Sequence, residues 1–289
     1  MHRSMTIACL AALLISAPWN TPARASDTQA ELPLYLRDRG AGMPTSMFGT
    51  YIEEGELLVY PFFEYYRDDD AEYKPAELGF ELEEDFRGMA RASEGLLFLS
   101  YGFTDRLAVE IEAAVISATL EKSPGDPSAT PDKIEESGTG DVEGQIRYRW
   151  RAEDAERPEI VSFFVAVTPQ QKDKVLIGTP DWELKLGTGF VRGFPWGTMT
   201  VRAAVEYDAA ESKAELGEYA LEYLKKISPA FRAYLGVEGS QDEVEFIPEA
   251  QLRLAKFVTL KLNSAVGITS KATDWAPEVG LMFSFGGKE

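Results

Sequence analysis

Leu107-Ala108-Val109-Glu110-Ile111-Glu112-Ala113-Ala114-Val115 is the stretch that decides the fold. Leu107, Val109, Ile111, Ala113 and Val115 share one parity, and Glu110 and Glu112 share the other. A helix would scatter both sets around its axis. In a pleated strand successive side chains point to opposite faces, so one face here is wholly apolar and the other carries charge. The stretch predicts a β-strand lying between two unlike environments.

The same alternation returns along the chain. Val142, Ile146, Tyr148 and Trp150 oppose Asp141, Glu143, Gln145, Arg147 and Arg149. Trp182, Leu184, Leu186 and Phe190 oppose Glu183 and Lys185, and Met199, Val201, Ala203, Val205 and Tyr207 oppose Arg202, Glu206 and Asp208. Worked outward, the pattern predicts about twelve strands. They fall near 56–67, 91–101, 107–120, 141–151, 159–169, 181–192, 198–208, 217–225, 230–239, 244–254, 257–268 and 277–285. Each is close to the ~9–11 residues with which a tilted strand crosses a bilayer. The 160–168 segment is apolar on both faces and matches least well. Glu218 to Lys226 suits a helix by propensity and is read as a strand from the rhythm of its neighbours.

The links between strands alternate in length. Short ones fall at Gly102–Arg106, Arg151–Pro158, Gly193–Gly197, Lys226–Pro229 and Ala255–Lys256. Between them lie Asp68–Ala90, Glu121–Gly140, Pro169–Pro180, Ala209–Leu216, Ser240–Glu243 and Thr269–Ala276, of which only Ser240–Glu243 is short. Tight turns on one side and longer loops on the other are the mark of an outer-membrane barrel. Alternating strands also build soluble sandwiches and small barrels. Against these stands the amount of apolar stripe, far more than one compact core needs. The aromatics Tyr101, Trp150, Phe190, Trp196 and Tyr207 also collect near strand ends or turns, as in interfacial girdles. The fold class expected is all-β: a single antiparallel up-and-down transmembrane β-barrel over 51–289.

Composition limits the chemistry. The 289 residues carry 48 acidic against 29 basic side chains, a formal charge of −19, which argues against nucleic acid as a partner. Residues 1–25 read as an export signal: His2 and Arg3, an apolar run from Ile7 to Ala17, then Ala23-Arg24-Ala25 at the cleavage site. His2 and Cys9, the chain's one His and one Cys, leave with it. What remains has no imidazole base, no thiolate nucleophile and none of the usual zinc, copper or haem ligands. No enzyme activity, metal or cofactor is expected. Residues 26–50, punctuated by Pro33, Gly40, Gly42 and Pro44, form either a periplasmic tail or a plug entering the lumen.

Several blocks carry a family resemblance. Tyr101-Gly102-Phe103-Thr104-Asp105-Arg106-Leu107 resembles the strand–turn–strand signature of the outer-membrane barrels named for the MetA pathway of phenol degradation. Gly138-Thr139-Gly140-Asp141-Val142 with Arg147-Tyr148-Arg149-Trp150, and Gly55 ahead of Glu64-Tyr65-Tyr66, are similar to two further blocks of that family. Thr168-Pro169-Gln170-Gln171 lacks the Gly found there in the family. The resemblance implies a transporter-like barrel admitting small hydrophobic or aromatic molecules.

On this reading the charged parity lines the lumen. The candidates for a solute pathway are Glu110, Glu112, Asp141, Glu143, Arg147, Arg149, Glu183, Lys185, Arg202, Glu206, Arg232, Glu245, Arg253 and Lys261. Such side chains select solutes by their fields, or pair across strands and fill a narrow interior. The expected partners are outer-membrane lipid and lipopolysaccharide, the barrel-assembly machinery and a small solute of unknown identity. The assembly expectation rests on Val279, Leu281, Phe283 and Phe285, which alternate to a terminal aromatic before Gly286-Gly287-Lys288-Glu289. Asp68-Asp69-Asp70 and Glu83-Glu84-Asp85 are expected in a solvated acidic loop. The function expected is passive transport across the outer membrane. The alternatives are a structural or adhesive barrel with a filled lumen and a soluble periplasmic barrel.

Overall fold

The computed structural model describes residues 32–209 and 213–287. The export signal expected at 1–25 lies outside the described residues. A 3-10 turn, Leu34–Leu36, leads to two short strands, β1 (Met43–Pro44) and β2 (Tyr51–Ile52), which pair with each other. Twelve long strands follow: β3 (Leu57–Tyr73), β4 (Phe86–Gly102), β5 (Leu107–Glu121), β6 (Lys133–Arg151), β7 (Glu159–Thr168), β8 (Glu183–Phe194), β9 (Gly197–Asp208), β10 (Lys213–Ser228), β11 (Phe231–Ser240), β12 (Glu243–Ala255), β13 (Val258–Gly267) and β14 (Ala276–Phe285). Each pairs antiparallel with its sequence neighbours, and β14 pairs with β3 through Val279↔Phe63 and Phe285↔Leu57, closing the barrel. Closure leaves no unpaired sheet edge in the wall, which is the condition for strands to cross a bilayer.

Side-chain exposure follows strand parity. On β5, Ile111 and Val115 face outward and are 49% and 62% exposed, while Ala108 and Glu110 face inward and are 0% and 2% exposed. Outward positions elsewhere repeat this, including Phe63, Leu97, Ile146, Leu186, Val205, Leu221, Leu262 and Leu281, all exposed. The outward face of β5 stays apolar from Leu107 to Val115 and turns polar at Ser117, Thr119 and Glu121. About nine residues rising ~3.3 Å each at a tilt near 40° span about 23 Å, close to the ~25 Å apolar band of such barrels. Lipid, not protein, is the solvent this surface suits.

Aromatic rings ring the short-turn end. Tyr101 meets Phe103 edge-on at 4.8 Å, Tyr148 meets Trp150 edge-on at 4.8 Å, and Phe194 stacks on Trp196 at 4.7 Å. Trp196 stacks in turn on Tyr223 at 5.9 Å. Trp150 donates its indole N–H to Ser162 Oγ at 3.0 Å, so the ring sits among apolar neighbours with its polar atom satisfied. Tyr101, Trp150, Phe190 and Trp196 are all exposed at this end, and exposed Tyr207 lies at the other end of its strand.

Two sequence expectations are corrected. The segment 68–90 was expected as a loop, yet β3 runs on to Tyr73 and β4 starts at Phe86, with a bulge between Asp68 and Ala71. Asp68-Asp69-Asp70 therefore belongs to a strand, and only Glu83-Glu84-Asp85 lies in the loop. Likewise β6 begins at Lys133, well inside the loop expected at 121–140. Beyond the apolar band the outward face meets water, while Asp68, Ala71 and Tyr73 stay buried on the other face across the bulge, so the apolar-out alternation ends while the hydrogen-bond ladder continues. The wall begins at Leu57, in line with the first strand expected near 56–67, and Tyr51–Ile52 ahead of it pairs with Met43–Pro44.

Candidate functional site: the barrel lumen

Residues 38–52 lie against inward-facing side chains near the short-turn end. Arg39 donates to Glu153 at 3.1 Å and to Glu159 at 2.7 Å, and all three side chains are at most 1% exposed. Arg149 closes the group, with Nε donating to Glu159 at 2.9 Å and Nη2 donating to the Ala41 carbonyl at 3.1 Å. Deeper in, Arg147 donates to the Pro44 carbonyl at 3.1 Å and to Glu110 at 3.2 Å. Ser46 donates to the same Glu110 oxygen through its backbone N–H at 3.0 Å and its hydroxyl at 2.6 Å. Across the barrel, Lys261 donates to the Phe48 carbonyl at 2.9 Å and pairs with Glu249 at 3.2 Å. Buried charges are tolerated only when paired and hydrogen-bonded, and here wall and segment supply each other's partners.

Apolar packing does the rest. Met43 and Ile52 join Leu58, Tyr60, Phe62, Phe98, Ala108, Val161 and Met282 in one buried cluster. Phe48 and Tyr51 pack on Leu224, Tyr234 and Ile247. At Gly193 the 3-10 turn ahead of the segment passes so close that a Cβ would lie 1.9 Å from the Tyr35 carbonyl oxygen, so only glycine fits.

Beyond this floor the lumen holds a cavity of about 210 Å³. Ser46, Met47, Phe48, Phe62, Leu96, Ile247, Asn263 and Ala265 line it together with Glu64, Glu112, Glu238, Glu245 and Glu278. Further round the wall, Arg202 pairs with Glu222 at 2.7 Å, with Glu238 at 2.6 Å and with Glu218, and Lys185 pairs with Glu206 at 3.5 Å. Tyr60 hydrogen-bonds Glu278. Among the described residues no group of three or more His, Cys, Asp or Glu is placed to hold a metal ion.

The fourteen candidates thus divide by what they touch. Glu110, Arg147, Arg149 and Lys261 bind the inserted segment. Glu112 and Glu245 line the cavity. Arg202, Lys185 and Glu206 sit in wall ion pairs, with Glu143 half-buried facing Glu112 in the register. Glu183 and Arg232 are half-buried, while Arg253 is exposed at the end of β12. Asp141 accepts from the backbone N–H of Gln170 and of Thr179, both at 2.6 Å, so its carboxylate is committed to the 169–182 loop. Sequence reasoning missed Arg39, Glu153 and Glu159, because isolated charges in irregular chain or at a strand start carry no periodicity. It also missed Glu64, Glu238 and Glu278, which share inward parity with Tyr60, Tyr234 and Met282.

A closed up-and-down barrel, apolar outside over a bilayer's thickness and charged within, defines a transmembrane β-barrel. No family model and no curated protein matches the chain. Among solved structures it is similar to an outer-membrane channel from Pseudomonas putida F1, at 15% identity and a TM-score of 0.58, covering 84% of this chain and 99% of that one. It also aligns with the translocator domain of the autotransporter NalP from Neisseria meningitidis (10% identity, TM-score 0.49, 81% and 90% covered). A third alignment is with the toluene transporter TbuX from Ralstonia pickettii (7% identity, TM-score 0.43, 82% and 90% covered). At these identities the first likeness concerns the fold, and the other two carry no argument.

Proposed function

We propose that the protein is an outer-membrane channel through which small molecules pass passively, with residues 38–52 narrowing its lumen at the short-turn end. The observation that carries this reading is the cavity of about 210 Å³ inside the closed wall, lined by charged side chains where a purely structural barrel would be packed solid. The apolar outer band supports the membrane location. The Pseudomonas putida F1 relative of like fold is described as an outer-membrane channel, which agrees with the proposal. Lipid and lipopolysaccharide would cover the band, and outward-facing Val279, Leu281 and Phe285 on β14 would offer the assembly machinery its terminal strand.

A structural barrel with a filled lumen is the second reading, favoured by the buried ion pairs that hold residues 38–52 in place. Planar-bilayer conductance separates the two. The full chain is expected to conduct weakly, and Arg39→Ala combined with Lys261→Met to conduct more by freeing the segment. Absence of current in both would favour the structural barrel.

A further inference from the structure

The carboxylates around the cavity stand in an arrangement that the fold does not need. Glu278 lies opposite Glu64 in the β14–β3 register, and Glu64 lies opposite Glu94 in the β3–β4 register. Glu112 faces Glu143 between β5 and β6, and Glu238 faces Glu245 between β11 and β12. Like charges directly opposite each other destabilise a sheet. No Lys or Arg is among the residues lining the cavity, and of its five carboxylates Glu238 has Arg202 as a partner from outside the lining, at 2.6 Å. Nor do the acids converge: as noted, no three are placed to hold a metal ion. Directly beneath the Glu112–Glu143 pair, Glu110 and Gln145 face each other, 2% and 5% exposed. Each has an oxygen, Oε1 in both, without a hydrogen-bond donor. Glu110 is tied to the cavity by Ser46, which lines it and donates only to the other carboxylate oxygen. Dispersed negative charge on the lining asks for a ligand that brings positive charge and N–H donors, and the orphaned acceptors lie outside the lining, behind Ser46. The floor asks for something else: Met47, Phe48 and Phe62 offer apolar and aromatic surface. A volume near 210 Å³ lies below the ~300–1,000 Å³ of drug-sized sites, so the ligand is small, of about one ring.

We infer that this cavity binds small amphipathic organic cations, an ammonium among the carboxylates and an apolar body on the Phe48–Phe62 floor. This names a solute class for the proposed channel and rests on that reading for transport, not for binding. The test uses the full chain in detergent, titrated calorimetrically with phenethylammonium, neutral 2-phenylethanol and anionic phenylacetate. Phenethylammonium is expected to bind at least tenfold more tightly than 2-phenylethanol, with no binding of phenylacetate. Glu112→Gln with Glu245→Gln should bring the ammonium to the level of the alcohol, and Phe48→Ala should weaken both ligands alike. The gel shift on heating reports that each variant retains its barrel. Equal or tighter binding of the alcohol, an unchanged preference in the double variant, or displacement of the ammonium by equimolar Mg²⁺ would overturn the inference. Binding without conductance would overturn the channel and leave the site. Conductance without an ammonium preference would do the reverse.

Discussion

Arg39 is the residue whose loss should free the inserted segment, and the size of the effect follows from its surroundings. Its guanidinium bridges Glu153 and Glu159, with the three side chains 1%, 0% and 1% exposed. Arg39→Ala leaves two buried carboxylates short of a partner, for which the ordinary cost is ~3–5 kcal/mol. Glu159 keeps Arg149 at 2.9 Å, and Glu153 keeps the Gly193 N–H at 2.8 Å, so the lower end, about 3 kcal/mol, is expected. The segment can be watched through Thr45→Cys in a Cys9→Ser background, because Cys9 is the chain's only cysteine. Thr45 is 7% exposed and its hydroxyl makes only long hydrogen bonds, 3.3 and 3.2 Å, so this change is mild. When opening and reclosing are fast against labelling, the maleimide reaction rate tracks the open population. About 3 kcal/mol then appears as roughly a hundredfold faster labelling. A rate within threefold of the parent would refute the claim that this ion cluster anchors residues 38–52.

Other expected outcomes rest on separate features. Gly193→Ala places a Cβ 1.9 Å from the Tyr35 carbonyl; at the ~1–3 kcal/mol typical of overpacking it should also speed Thr45→Cys labelling, several-fold or more, without touching any charge. Leu186→Arg, on the exposed lipid-facing parity of β8, should destabilise the barrel in vesicles by ~2–4 kcal/mol in urea titrations. Thr119→Arg, above the apolar band, should cost under about 1 kcal/mol in the same titrations. In the 152–158 turn, hydrogen bonds from Arg157 and from the backbone N–H groups of Glu156 and Arg157 hold the Asp154 carboxyl down to about 2. A depressed carboxyl stabilises the fold above the unfolded value near 3.9, and that contribution is lost as pH falls toward 2. Asp154→Asn should therefore flatten the acid limb of stability between about pH 4 and 2; an unchanged limb would remove Asp154 from the account.

Where the sequence was legible, two solvents met across one strand. On β5 the lipid side and the lumen side contrast at Val109/Glu110 and Ile111/Glu112, while inward Ala108 is apolar, and alternation reports that contrast directly. It fades where the lumen side is itself apolar. Val161, Phe163 and Val165 face inward on β7 and are buried, with Val161 packed in the cluster that holds Met43 and Ile52. The same cause blurred β10, whose inward Leu224 packs with Tyr234 and Ile247 beside Phe48. A segment of the chain inside the barrel thus erased the pattern at the positions it touches. The cavity was half legible: Glu112 and Glu245 stood out by parity, whereas the like-charge pairing across strands needs the register, which no single strand contains.

The most direct test is a nitroxide scan along β5, from position 107 to 121, on the barrel reconstituted in vesicles. Odd positions 107–115 should be more accessible to oxygen than to a water-soluble nickel chelate, even positions 108–112 shielded from both, and the preference should reverse at 117–121. Odd positions shielded from oxygen, as they would be if packed against a second protein layer, would contradict the lipid-facing barrel and everything built on it.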